Sequence, residues 1–111
     1  MNEQIEALAK ELGRNIARSE IYMRYRNAAS VLNGAPAELD LVHRFTRVTG
    51  VITEKNRNAV PVDPDEVELA GKLAAKMQES GIIAEYLESQ ADFAAMMDEL
   101  MRGLEEAGGT V

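Results

Sequence analysis

The sequence contains no cysteine among its 111 residues. This absence excludes disulfides, zinc or iron–sulfur clusters held by cysteine, and a thiol nucleophile. It also fits a reducing compartment. The N-terminus has no apolar run ahead of a cleavage site, and no stretch approaches the roughly 18 consecutive apolar residues of a membrane span. We therefore expect a cytoplasmic protein that does not cross a membrane.

Residues suited to catalysis or metal binding are also scarce. The only histidine, His43, has no evident partner for general base catalysis in the sequence. No glycine-rich phosphate loop, GxSxG or HExxH motif is present. An acidic cluster of Asp63, Asp65, Glu66 and Glu68 lacks the glycine and the ligand spacing of a calcium-binding loop. The sequence thus predicts no enzyme, no metal site and no cofactor.

The net charge of −7 is unevenly distributed along the chain. Residues 1–60 carry nine basic and seven acidic side chains, whereas residues 61–111 carry three basic and twelve acidic ones. Nucleic-acid binding depends on a cationic face that contacts phosphates. The acidic second half therefore argues against a protein that wraps nucleic acid.

Apolar residues recur at helical spacing along nearly the whole chain, and the sustained alternation of a β-strand is missing. We expect breaks between helices at Ser19, Asn33–Gly34, Val60–Pro61–Val62, Ser80–Gly81 and Gly108–Gly109. These breaks define about five helices. The sequence predicts one all-α domain over residues 1–111, a bundle with a long central helix, a long C-terminal helix and a frayed tail at 108–111.

Two details of this helical interpretation concern the middle of the chain. The third helix, from Pro36 to about Asn58, has apolar residues on more than one stripe, which predicts that it lies at the centre of the fold. Gly50 within it indicates a close approach of another helix. The next helix is predicted to begin with Asp63 as N-cap, and Glu66 completes a capping box.

The stretch RSEIYMRYR, residues 18–26, allows two interpretations. In one, the arginines bind phosphates and the tyrosines stack on bases, as part of an RNA- or DNA-binding face over residues 14–57; the residues concerned are Arg14, Arg18, Arg24, Arg26, Tyr22 and Tyr25. In the other, the tyrosines pack between helices and the cations form exposed i,i+4 pairs. Such pairs are expected for Glu6–Lys10, Glu20–Arg24, Asp40–Arg44, Glu68–Lys72 and Asp98–Arg102. We favour the second interpretation, because Arg24 and Arg26 lie about 200° apart around a helix.

The last helix has an apolar stripe longer than a domain of this size needs for its own core. Its methionines are consistent with core filling or with an adaptable partner surface. The sequence predicts a self-association surface formed by Phe93, Met97, Leu100, Met101 and Leu104. We accordingly expect a homodimer that acts through protein contacts.

Two local patterns resemble those of the YlbF/YmcA family of small helical bacterial proteins. The first is I-x-x-S-x-x-Y-x-x-Y, formed by Ile16, Ser19, Tyr22 and Tyr25 at the start of the second helix. The second is I-x-x-Y-L, formed by Ile83, Tyr86 and Leu87, which opens the last helix. The resemblance covers about residues 5 to 107.

The resemblance implies an all-helical, non-enzymatic protein that self-associates. The best-known family members modulate RNA processing by an endoribonuclease, and thereby influence competence, sporulation and biofilm formation. The expected partners are then proteins of the RNA-processing machinery, rather than nucleic acid. Those members also carry C-terminal cysteines linked to iron–sulfur binding. Because this chain has no cysteine, it resembles a cysteine-free paralogue to which cluster binding does not transfer.

Overall fold

The structure, a computed structural model, describes residues 2–109 and contains five α-helices and no β-strand over that range. The helices are α1 (Glu3–Arg18), α2 (Glu20–Asn33), α3 (Pro36–Arg57), α4 (Pro64–Gln78) and α5 (Gly81–Ala107). The predicted all-α class is therefore confirmed. Met1 and residues 110–111, which belong to the predicted domain and its tail, lie outside the described residues.

Local capping chemistry determines where these helices begin. The Ser19 hydroxyl accepts a hydrogen bond from the Tyr22 N–H at 3.2 Å, and the Ser80 hydroxyl accepts one from the Ile83 N–H at 3.2 Å. Pro36 occupies the first turn of α3, where its missing N–H would have no intrahelical acceptor anyway. The predicted breaks at these positions are correct.

The helices form two antiparallel pairs, α2 with α5 and α3 with α4. The core lies where the two pairs meet, and its buried residues Leu32, Met77 and Ile83 come from three different helices. Half-buried side chains surround them, namely Leu39, Leu41, Val42, Phe45, Ile82 and Tyr86. Among the residues of the described chain, Ile83 has the least exposed apolar side chain, at 0%.

The predicted long central helix is confirmed: α3 contacts α2, α4 and α5, and four of its apolar side chains pack against the core, although none is fully buried. Two other expectations for the middle of the chain are wrong. A Cβ added at Gly50 would meet nothing within 4 Å outside its own helix, so no other helix approaches closely there. The Asp63 side chain does cap α4, by accepting from the Asp65 N–H at 2.9 Å. Glu66 instead binds Lys55, which the antiparallel α3–α4 pair places beside it, so it does not complete a capping box.

Candidate protein-interaction surface

An aromatic cluster joins α2 to α5. The Tyr25 ring stacks on Phe93 with centroids 5.3 Å apart and planes inclined by only 5°. Tyr22 also contacts Phe93, at a centroid distance of 5.6 Å, and Tyr25 contacts Tyr86 at 5.8 Å. Pairs in this range contribute stability beyond the area they bury. The interpretation of both tyrosines as helix-packing residues is confirmed.

Arg24 forms a second link between the same two helices. Its Nε and Nη2 donate to the two carboxylate oxygens of Glu85, at 2.5 and 3.2 Å. Its Nη1 donates to Asp92 at 2.9 Å, and Nη2 also lies 3.4 Å from Glu88. The prediction that Arg24 pairs with Glu20 in its own helix is therefore wrong, because three acids of α5 surround its guanidinium.

The ion pair between Arg24 and Glu85 shifts both titrations. The hydrogen bond from Arg24 lowers the pKa of Glu85 below its ordinary value. The same bond, with a smaller contribution from Glu88, raises the already high pKa of Arg24, although desolvation opposes the shift. Both side chains remain about half exposed, so solvent and salt weaken this attraction.

The other predicted helix-surface pairs form only in part. Glu6 lies 3.8 Å from Lys10, and Glu68 lies 3.3 Å from Lys72, both with the acid N-terminal as expected. Among residues 2–109, no pair within 4.0 Å joins Asp40 to Arg44 or Asp98 to Arg102; those two predictions are wrong. Exposed pairs of this kind contribute little stability.

The face of α5 that packs on α2 continues beyond the start of α2, because the two helices are antiparallel. Positions three or four residues apart share this face over nearly the whole helix, at Ile83, Tyr86, Gln90, Phe93, Met97, Leu100 and Leu104. The Tyr22–Phe93 contact lies near the first turn of α2. We define the distal stripe as Met97, Leu100, Met101 and Leu104, which follow Phe93 along α5.

The distal stripe contains four of the five residues predicted to mediate self-association. Met101 is 53% exposed and Leu104 is 51% exposed, whereas Met97 and Leu100 are half-buried. The fifth residue, Phe93, already packs against Tyr22 and Tyr25 within the chain. The structure thus places all five on one face of α5, and their role in self-association stays a prediction.

A second apolar surface lies on α1, and it was not predicted as an interaction surface from the sequence. We define the α1 stripe as Ile5, Leu8, Leu12 and Ile16, which share one helical face. Ile5 is 56% exposed and Leu8 is 59% exposed. No residue of α1 is buried, and among the described helices α1 contacts α2 alone. The i, i+3, i+7 spacing of these residues could be seen in the sequence. The sequence did not show that no helix covers this face of α1.

The basic and polar residues considered for other functions lie apart from one another. Arg14, Arg18 and Arg26 are exposed, but Arg24 faces α5 and is bound by its acids, which weakens the interpretation as a nucleic-acid face. His43 is exposed on α3. Within residues 2–109, no group of three His, Asp or Glu side chains is arranged to hold a metal ion.

A shallow groove lies alongside Arg24 on the α2–α5 pair. Its walls are mainly apolar and include Met23, Ala28, Val31 and Ile82, with Glu20 and Glu85 at the rim. Met23 is 51% exposed and Val31 is 56% exposed. The groove is open to solvent, and its mainly apolar lining offers contact area. None of the described helices is long and apolar enough to cross a membrane.

Comparison with known proteins supports the predicted resemblance. A UPF0342 protein of Bacillus licheniformis is 26% identical over 113 residues, which cover 98% of this chain and 97% of that protein. A solved structure, described as a protein of unknown function (DUF964) from Bacillus stearothermophilus, matches with a TM-score of 0.78 at 20% identity. The match covers 95% of this chain and 92% of that one, and it supports the fold.

The model of one protein family matches almost the whole chain. Its description is "Control of competence regulator ComK, YlbF/YmcA", and the match extends over residues 5–107. Those are the limits over which the resemblance was predicted, and they include all five helices except the first two residues of α1. The chain therefore belongs to the YlbF/YmcA family.

Proposed function

We propose that this protein is a non-enzymatic helical regulatory adaptor, which acts through protein–protein contacts as a homodimer. The observation that carries the proposal is the distal stripe, an apolar extension of the α5 face that the chain leaves without a covering helix. Continuous apolar surface of this kind is typical of protein interaction sites. The exposed sulfur-containing side chain of Met101 adds an adaptable contact.

The amount of surface left exposed also favours a dimer. The radius of gyration is 18.7 Å, against about 13 Å for a compact domain of this length. The accessible surface is 8271 Å², about 2,200 Å² more than a compact monomer of 12.2 kDa exposes. Each subunit of a large homodimer interface buries about 1,000–2,500 Å². A second copy would therefore cover an area of the observed size.

The family to which the chain belongs supports a regulatory role. Its description concerns control of a competence regulator. By resemblance, the protein partners belong to the RNA-processing machinery, and the processes affected are competence, sporulation or biofilm formation.

Mass measurement by light scattering during gel filtration tests the dimer. The proposal predicts twice the 12.2 kDa chain mass at micromolar concentration. A single-chain mass at every concentration up to high micromolar would contradict it.

Affinity capture from lysate of the protein's own host, read by mass spectrometry, tests the partners. Ribonuclease-associated proteins that remain bound at moderate salt would support the adaptor. If only the protein itself is recovered, the link to RNA processing is wrong. If nuclease treatment abolishes the recovery of those proteins, nucleic acid bridges them to this chain, and the alternative of a direct RNA- or DNA-binding face over residues 14–57 is favoured.

A further inference from the structure

The α1 stripe and the distal stripe are both apolar, and they do not meet within one chain. Helix α1 makes no contact with α5. The chain turns at Ser19, whose backbone is extended between the two helices with φ −67° and ψ 147°. Helix α1 therefore does not continue along α5 beyond the start of α2. Each chain is left with one uncovered helix face and one uncovered strip of α5.

The helix segments that contain the two stripes are similar in length. The 16 residues of α1 span about 24 Å, and residues 94–107 of α5, 14 residues, span about 21 Å at 1.5 Å per residue. When the two segments are aligned centre to centre, Leu8 and Leu12 each lie within one helical turn of Met101 in either direction of α1. Helix α2 covers residues 83–93 of α5. A helix packed on the distal stripe would cover residues 97–104 in the same way.

We propose that α1 of one copy packs on the distal stripe of a second copy, and that the second copy returns the same contact. This inference rests on the proposed homodimer and specifies its geometry. Two such contacts related by a two-fold axis form a closed assembly, in which no stripe remains free for further copies. The exchange covers both apolar surfaces of both chains at once, and is consistent with the excess area of about 2,200 Å² per chain.

A partner of another sequence is a weaker choice for either stripe. It would have to bring one amphipathic helix for the distal stripe and one apolar strip for α1. A second copy supplies both, in equal number. The alternative in which α1 folds back onto its own α5 requires rearrangement at Ser19, whose N–H and hydroxyl both bond the Ile16 carbonyl in the observed turn, at 3.0 and 2.7 Å.

The absence of cysteine permits a crosslinking test without background reaction. Leu8→Cys and Met101→Cys are placed in separately tagged chains, which are co-expressed and treated with a short bismaleimide. Both positions are more than half exposed, so neither substitution is expected to unfold the chain. The expected product is a crosslinked pair that carries both tags. Chains with Leu8→Cys and Val51→Cys, the latter on α3, are the matched control and should not form it.

The double variant, with both cysteines in one chain, distinguishes exchange from folding back. Exchange predicts crosslinked dimers, whereas an internally crosslinked monomer would overturn the proposal. If light scattering shows a dimer but Leu8 and Met101 do not crosslink between chains, the exchange is wrong and the proposed homodimer stands. If light scattering shows a monomer, both are wrong.

A substitution that needs no crosslinker gives an independent measurement. Met101→Glu or Leu8→Glu should raise the dimer dissociation constant about tenfold or more, because each places a carboxylate in an apolar interface. Val51→Glu, at a side chain 44% exposed on α3, should leave it unchanged. Far-UV circular dichroism should show the same helicity for all three. Equal dissociation constants for Met101→Glu and Val51→Glu would overturn the proposal.

Discussion

Arg24 on α2 donates two hydrogen bonds to Glu85 on α5, although the two residues are 61 positions apart in the sequence. The rings of Tyr22, Tyr25 and Phe93 form a second contact between the same two helices. A charged link beside an aromatic one fixes the register of the pair. That register leaves the distal stripe beyond the last aromatic contact.

Replacing Arg24 with methionine should lower the melting temperature. The change leaves Glu85, Glu88 and Asp92 on one face of α5 without the cation that binds them, so like charges then repel. Arg26→Met, at an exposed position without such a partner among residues 2–109, is the control and should have a smaller effect. Thermal unfolding followed by circular dichroism measures both.

Salt provides a second measurement on the same pair of variants. Because Arg24 and Glu85 are about half exposed, salt screens their attraction. High salt should therefore reduce the difference in melting temperature between the wild type and Arg24→Met. Equal melting temperatures for Arg24→Met and Arg26→Met at low salt would show that this ion pair does not hold the helices together.

The lowered pKa of Glu85 predicts a loss of stability in acid. Since its pKa is lower in the folded chain than the ordinary 4.5, the ion pair stabilises the fold above that value. The contribution disappears as the pH falls through the folded-state pKa. The free energy of unfolding in urea should therefore differ between the wild type and Glu85→Gln at neutral pH, and the two values should converge as the pH falls below the folded-state pKa of Glu85.

Glu106→Gln is the control for this pH dependence, because Glu106 lies at the exposed end of α5, away from Arg24. Its unfolding curve should follow that of the wild type at every pH. A difference between wild type and Glu85→Gln that stays constant from neutral to acid pH would mean that ionisation of Glu85 does not contribute.

The helix boundaries could be predicted from the sequence because capping is local chemistry. Ser19, Asp63 and Ser80 each bond an N–H two or three residues ahead, so a short stretch of sequence contains the whole interaction. The family resemblance depended on the same local patterns. The resemblance was correct over residues 5–107.

The partner of Arg24 could not be predicted by the same reasoning. The i,i+4 rule considers one helix at a time and selected Glu20. The signal for the true partners was Glu85, Glu88 and Asp92, three acids on one face of α5 without a nearby cation in that helix. The expectation for Gly50 failed for a similar reason: a glycine within a helix does not show whether another helix approaches it.

Ile83→Ala should cost about 2–5 kcal/mol of folding free energy, because it opens a cavity at a side chain with no exposure. Leu32 and Met77, which pack with Ile83, would lose contact with it. Val51→Ala removes apolar atoms from an exposed position of α3 and should change stability by no more than about 0.5 kcal/mol. Urea unfolding compares them, and equal midpoints would contradict the placement of the core where the two helix pairs meet.

Ala59→Gly should stabilise the protein. Ala59 follows the end of α3 with φ 57°, a left-handed conformation that costs a residue with a Cβ about 1–2 kcal/mol. The Val60 N–H donates to the Lys55 carbonyl at 2.8 Å, and the Ala59 N–H donates to the Asn56 carbonyl at 3.3 Å. These two bonds form a helix-ending motif in which glycine is the usual residue at this position.

The expected gain from Ala59→Gly is about 0.5–1 kcal/mol, since the greater freedom of glycine in the unfolded chain offsets part of the strain relieved. The matched control is Ala75→Gly, an exposed position within α4, where glycine should cost about 1 kcal/mol. Both variants replace one alanine with glycine. Urea unfolding should show a higher free energy of unfolding for Ala59→Gly and a lower one for Ala75→Gly. A loss of stability in both would mean that Ala59 is not left-handed in solution, and that the turn between α3 and α4 differs from the one described.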